Sequence, residues 1–429
     1  MLRNNNWAFP CLFLLACTSP DTPTATISDV EQGIRTFIDQ RTAAGDGHFR
    51  IVDDTLDMRL RLVRVHTEYL SVLGPNAFFA CVDLADEAGD VYDVDFFLSG
   101  EPGSMDVTKM TLHKLNGKPF YTWEQQSDQT WSQVPLSTAP PALLGVIEGE
   151  DRFTFRYTIN LPGEGGRLWF PQASSDPWQD VVISSIDSPM PLETLQDSIN
   201  GNLAFHGDLP PATGERTLTV TYQVVRREKS PYPGEARPQD LAGTPKLPVG
   251  GRFTDIVDSI TVPSDPALMN ARRLYDYVID NVRYAKQGTY GTGDALYACD
   301  AKSGNCTEFH SLFISLARTA GIPAQFAIGA SIPSSRNEGG MEGYHCWAEF
   351  HADGKWWPVD ISEADKYTAL ATYYFGHHPA NRVELSRGRD LHFSPAPPNV
   401  AIPFFAYPVF ESQGEAKPLG ARFTFERNA

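Results

Sequence analysis

Two hydrophobic periods succeed one another along this chain, and the change from one to the other divides it. Residues 30–41 read as a helix, after which apolar positions alternate with polar ones, first at Leu56, Met58, Leu60 and Leu62 and then at Tyr92, Val94, Phe96 and Leu98. A period of two puts one face inward and the other outward, so residues 28–135 are expected to form a small α+β domain. Asp83, Asp93 and Asp95 are read as the wet face of its sheet rather than as ligands of a hard metal. From 140 to 230 every signal is strand: 153–161, 168–170, 181–186 and 217–226, the last with Leu218, Val220, Tyr222 and Val224 on one side. Pro162-Gly163 and Gly207 supply turns between them, which predicts a β-sandwich. Residues 231–252 are dense in Pro and Gly and are read as a linker.

Helical spacing takes over in residues 253–400. Ala271, Leu274, Tyr275, Val278 and Val282 form an apolar stripe, with Ser264 or Asp265 as candidate cap and Pro266 suited to the first turn. A second helix is marked at both ends. Phe309, Leu312, Phe313, Leu316, Ala317 and Ala320 recur at helical spacing, Gly321 follows, and Pro323 lies just beyond. Its first turn begins at Cys306. Next, His345-Cys346-Trp347-Ala348-Glu349-Phe350 has strand character, Asp353-Gly354 signals a hairpin turn, and Lys355-Trp356-Trp357-Pro358-Val359-Asp360 returns. With Asp353 and Gly354 as the central turn residues, Asp360 falls opposite Trp347 and Ser362 opposite His345. His345 and Asp360 are then diagonal neighbours on one face, near enough for their side chains to meet. Residues 401–429, with many Pro and aromatic residues, are expected to be a tail that wraps the surface and lines the cleft.

Composition sets the scale. The chain has 429 residues, 41% of them hydrophobic, enough for two or three domains with separate cores. A formal net charge of −18, spread along the sequence, argues against nucleic acid and anionic lipid as partners, while a peptide or small amide substrate is compatible with it. The N-terminus has a short apolar run at residues 7–16 followed by Cys17, too brief to span a bilayer and shaped like the core of a signal peptide. Leu14-Leu15-Ala16-Cys17 resembles the bacterial lipoprotein signal. That resemblance implies that residues 1–17 are a signal peptide ending at a lipidated Cys17 and that 18–27 are a flexible tether. The protein is then expected in the bacterial cell envelope, extracytoplasmic and anchored to membrane by its N-terminal lipid only. Thr18 after the cysteine favours the outer membrane if the host is Gram-negative. Cys81, Cys299, Cys306 and Cys346 remain in the body. Cys299 and Cys346 are read either as a disulfide pair or as separate buried thiols. Cysteine spacing does not match a zinc framework, so neither metal nor other cofactor is expected.

The chemistry gathers in residues 304–360. A thiol at a helix N-terminus faces unpaired N–H groups and the positive end of the helix dipole, which favour thiolate. Nucleophile, base and base-orienter are assigned to Cys306, His345 and Asp360. His310, one turn along the same helix, is read as packed or solvated rather than as the base.

Gly304-Asn305-Cys306, Gly321-Ile322-Pro323-Ala324, Gly343-Tyr344-His345-Cys346-Trp347-Ala348-Glu349 and Trp357-Pro358-Val359-Asp360 together resemble the core of the transglutaminase-like superfamily, whose fold is similar to papain-type cysteine proteases. The resemblance runs from about residue 263 to 366. It implies a Cys-His-Asp triad on Cys306, His345 and Asp360, an acyl-thioester intermediate, and a second oxyanion donor upstream of the thiol, for which Tyr284 and Tyr290 are the candidates. The expected architecture is α+β multidomain: a small α+β domain, a central β-sandwich and a C-terminal transglutaminase-like domain. The expected function is thiol-dependent acyl transfer on peptide or carboxamide substrates, with hydrolysis and amine transfer both open. The alternative is a catalytically idle envelope lipoprotein that binds peptide or cell-wall material.

Overall fold

Alternating apolar residues build a six-stranded antiparallel meander at the N-terminal end, and one helix covers one of its faces. The computed structural model describes residues 25–52, 57–74, 76–125, 131–135, 145–286, 289–366, 370–398 and 402–427. The expected signal peptide with Cys17, most of the tether, and Leu56 lie outside them. Helix α1, Ile27–Ala44, begins in a capping box between Thr26 and Asp29. Its Val30, Ile34 and Ile38 pack on Leu60, Val82, Val94 and Phe96. The opposite face is not wet: Asp83, Asp93 and Asp95 are 1%, 6% and 0% exposed. A helix of the C-terminal domain, Ala267–Asn281, covers part of that face, and its Arg272 Nη1 meets Asp83 Oδ2 at 3.1 Å. Alternation alone gives no sign of a second cover from residues almost two hundred positions away.

The predicted sandwich forms, but not from residues 140–230 alone. One five-stranded sheet joins Glu193–Gln196, Leu203–Leu209 and Gly166–Gln172 to Val409–Ser412 and Glu415–Pro418. The other joins Gln179–Asp187, Arg216–Arg227 and Glu150–Leu161 to Ala421–Arg427 and Glu338–Gly340. Phe155, Tyr157, Tyr222, Phe410 and Phe423 fill the space between them. The expected tail therefore supplies strands to both sheets, with Phe410, Phe423 and Phe425 buried in the sandwich core. The C-terminal domain is thus inserted between sandwich strands.

The expected linker is bound down as well. Tyr232–Pro233 adds a strand to the C-terminal domain's sheet, Tyr232 Oη donates to Glu349 Oε2 at 2.6 Å, and Leu247 is fully buried. Helix α2 spans Arg252–Ile260 and α3 spans Ala267–Asn281. Pro266, rather than Ser264 or Asp265, is the N-cap residue of α3. Asp265 turns instead to Arg273 Nη2, at 2.5 Å. Helices α4 (Ala295–Ala301), α5 (Cys306–Thr319) and α6 (Ile361–Lys366) complete the domain. Its sheet runs in the order Tyr232–Pro233, Lys355–Val359, His345–Ala352, Ala324–Ser331, Arg382–Arg387. Helix α5 is buried from Cys306 to Arg318 and lies against the strand His345–Ala352. The Asp353-Gly354 turn has φ of +55° and +76°, and Ala348 pairs with Val359 and Phe350 with Trp357, the register expected from the turn.

Candidate active site

The start of α5 is fixed by a buried carboxylate. Asn305 caps the helix by accepting from Thr307 N at 2.8 Å, and Glu308 reaches back to Asn305 N at 3.0 Å, closing a capping box. Glu308 also accepts from Gly291 N (3.0 Å), Thr292 N (3.0 Å) and Gly293 N (2.9 Å), so one side chain sets both the helix end and the loop beside it. Gly304 is required by that arrangement, since a Cβ there would lie 2.4 Å from Glu308 Cβ. The sequence carries the signal in the Asn305-to-Glu308 spacing, though not the loop that Glu308 gathers.

His345 opens its strand and Asp360 ends the return strand, so the hairpin brings them together. The His345 Nε2–H donates to Asp360 Oδ2 at 2.7 Å. The Cys306 side chain lies within hydrogen-bonding reach of the same imidazole. Asp360 also caps α6, with Glu363 N and Ser362 Oγ both 3.1 Å from Oδ1. Arg382 Nη2 lies 2.5 Å from Oδ2. Arg382 comes from a strand beyond the hairpin, and nothing in its local sequence marks it.

These contacts set the charges. Burial alone would push the Cys306 thiol up, but hydrogen bonds from Cys346 and His345 and the imidazolium charge outweigh it and hold the thiol well below its ordinary range. Burial opposes a charged His345, yet Asp360 and the Cys306 thiolate raise it to about 9. Asp360 is buried too, and its neighbours His345 and Arg382 keep it ionised well below the usual carboxylate range. The arrangement is a thiolate–imidazolium pair backed by a carboxylate.

His310 is fully buried and works as a brace. Its Nε2 accepts from Ile361 N at 3.0 Å and its Nδ1–H donates to Cys306 O at 2.7 Å, joining the first turn of α5 to the residue after Asp360. Burial lowers it to about 4, so it is neutral. Cys346, next to the imidazole, lies 3.7 Å from His310 Nδ1 and is held well above its ordinary range by burial and the Cys306 charge. It is a free thiol, as are Cys81, Cys299 and Cys306, so the Cys299–Cys346 pair is not formed.

The two tyrosines proposed upstream separate. Tyr284 pairs with Gly304 in a short parallel ladder, two residues before the thiol, and burial together with the thiolate charge pushes its hydroxyl up to about 12. Tyr290 is 40% exposed, just before the loop that Glu308 holds. A tyrosine that sequence reasoning passed over also stands at the helix start: Tyr344 Oη accepts from Asn305 Nδ2 at 3.2 Å, and its ring packs edge-on against Tyr407 of the C-terminal segment.

Comparison with known proteins bears on the same region. Residues 254–361 match the family profile described as transglutaminase-like superfamily. A protein of Haemophilus influenzae described as uncharacterized is 30% identical over 317 residues, covering 61% of this chain and 86% of its own length. A solved structure from Cytophaga hutchinsonii, provisionally described as a cysteine protease, is 16% identical with a TM-score of 0.45, over 66% of this chain and 92% of that one. Another from Parabacteroides distasonis, provisionally described as a protease, is 11% identical with a TM-score of 0.23, over 66% and 63%.

Proposed function

We propose, from the premise that this chain belongs to the transglutaminase-like superfamily through residues 254–361, that it is a thiol-dependent acyl-transfer enzyme acting on peptide or carboxamide substrates. The observation that carries the reading is the continuous link from Cys306 through His345 to Asp360, with the thiol ionised and the imidazole protonated at neutral pH. The Cys306 thiolate attacks the carbonyl carbon, and the resulting oxyanion is received by the Cys306 backbone N–H at the start of α5 and by a hydroxyl, for which Tyr284 is the better placed of the two candidates. Collapse of the tetrahedral adduct breaks the C–N bond as His345 gives its proton to the departing amine, leaving an acyl-thioester on Cys306. Asp360 holds the imidazole in the orientation this transfer needs, and Arg382 holds Asp360. Water, activated by the now neutral His345, resolves the thioester to a carboxylic acid. An amine in its place gives a new amide.

Membrane attachment through Cys17 belongs to the same proposal, with the soluble body facing an extracytoplasmic space. Among the described residues no helix is long and apolar enough to cross a membrane. The experiment for the reaction is incubation of the full chain with peptide libraries, with and without a primary amine, read by mass spectrometry. Hydrolysed products or amine-substituted products, lost in Cys306→Ala, support acyl transfer and distinguish its two forms. A folded chain that yields neither from any library supports the idle binder.

A further inference from the structure

The sheet face turned away from α1 carries a second cluster of chemically capable side chains. Cys81 and Asp95 pair directly across adjacent strands, and Asp93 lies two residues from Asp95 on the same face. On the next strand Asp93 pairs with Lys114 but Val94 with Leu112, which leaves His113 as the extra residue of a bulge. Bulges re-aim side chains, and this one brings His113 over the two aspartates. Cys81 Sγ is 3.2 Å from Asp95 Oδ1, and His113 Nδ1 is 3.4 Å from that oxygen and 3.9 Å from Asp93 Oδ1. All four ligand atoms fall within 4.8 Å of one another.

Two features point to a missing occupant. Asp93 Oδ1 is shut off from solvent without a hydrogen-bond partner, although it faces the same small space as Cys81, Asp95 and His113. The Cys81–Asp95, Asp95–His113 and His113–Asp93 spacings of 3.2, 3.4 and 3.9 Å also lie close to those of an ion's ligands, because tetrahedral ligands at zinc bond lengths stand about 3.3–3.8 Å apart. We propose that Cys81, Asp93, Asp95 and His113 form a four-ligand site for one divalent transition metal ion of the zinc class.

The charges close. One thiolate and two carboxylates are met by the ion and by Lys114, whose Nζ sits 2.9 Å from Asp93 Oδ2. Binding displaces the Cys81 proton to solvent. Tyr121 Oη donates to Asp95 Oδ2 at 2.8 Å, the outer-shell support that orients a ligating carboxylate. With all four positions taken by protein, the ion has a structural role rather than a catalytic one. Asp83, directly across from Asp93, is bound to Arg272 of α3, so the site lies where the N-terminal sheet docks on the transglutaminase-like domain.

The test uses the full chain carrying Cys306→Ala, so that the active-site thiol supplies no sulfur. One equivalent of Zn2+ is expected to survive gel filtration, and Co2+ is expected to give a thiolate-to-metal charge-transfer band that Zn2+ abolishes. Cys81→Ser removes the band, His113→Ala weakens binding at least about tenfold, and Cys299→Ser changes neither. If Cys81→Ser does not fold, Asp93→Asn supplies the same readout through a similar loss of affinity. A folded chain that takes up no Co2+, or a band that persists in Cys81→Ser or is unaffected by Asp93→Asn, overturns the site.

Discussion

His345 Nε2 and Asp360 Oδ2 are 2.7 Å apart, and the same carboxylate oxygen also receives Arg382. Asp360 therefore stays ionised while it fixes the imidazole, and in the proposed reaction it orients the base rather than taking its proton. Asp360→Asn keeps the shape but removes the charge and reverses the donor pattern. The expected result is a fall in kcat of about 10³–10⁴-fold, with a slower reaction of Cys306 toward a thiol probe at neutral pH. A loss of only a few-fold in both would contradict this role.

The pH profile follows from the same contacts. His345 is raised to about 9, so the imidazolium that the proposed reaction uses to protonate the leaving amine persists through neutral pH and is lost as pH rises through that value. kcat/KM is expected to decline above about 9, while alkylation of Cys306 continues, since a thiolate needs no proton. Stability has the same sign. The contribution of a raised His345 is fully present below its ordinary 6.5 and disappears as pH climbs through about 9, which urea titrations at neutral and alkaline pH in wild type and His345→Gln will read.

Arg382 is fully buried against Asp360, with its guanidinium 5.0 Å from the Trp347 ring centre. Arg382→Met leaves the carboxylate buried without its cation, and an expected loss of about 3–5 kcal/mol in unfolding free energy follows. Denaturant unfolding of the variant measures it directly. A change within a few tenths would show that His345 alone suffices to hold the charge.

Glu308 gathers four backbone N–H groups from the α5 start and from residues 291–293. Glu308→Ala leaves them unmet inside the protein, and the expected cost is about 3 kcal/mol or more. Hydrogen exchange at Gly291, Thr292 and Gly293 should rise with it. The Cys306 probe reaction should slow as well, because the helix end that favours the thiolate loses its anchor.

Local chemistry was legible in the sequence where one element carried it. The span of α5 followed from its apolar stripe with Gly321 and Pro323, and the Asp353-Gly354 turn set a register that put His345 beside Asp360. Features that join distant segments were not. Arg382, the alternating Phe410, Phe423 and Phe425 that complete the sandwich, and Arg272 covering the Asp83 face all depend on partners far along the chain. Periodicity tells which face of a strand is apolar, and a polar face buried by ion pairs looks the same as a solvated one. The bracing role of His310 was hidden for a related reason, since it depends on the backbone N–H of Ile361 rather than on any residue type.

The most direct test is the rate of iodoacetamide alkylation of Cys306 against pH, read on the Cys306 peptide by mass spectrometry, in wild type and His345→Ala. Labelling of the wild type should remain fast well below the ordinary thiol value of 9.0, and His345→Ala should move the profile upward toward it. A wild-type profile centred near that ordinary value and unchanged by His345→Ala would contradict the account.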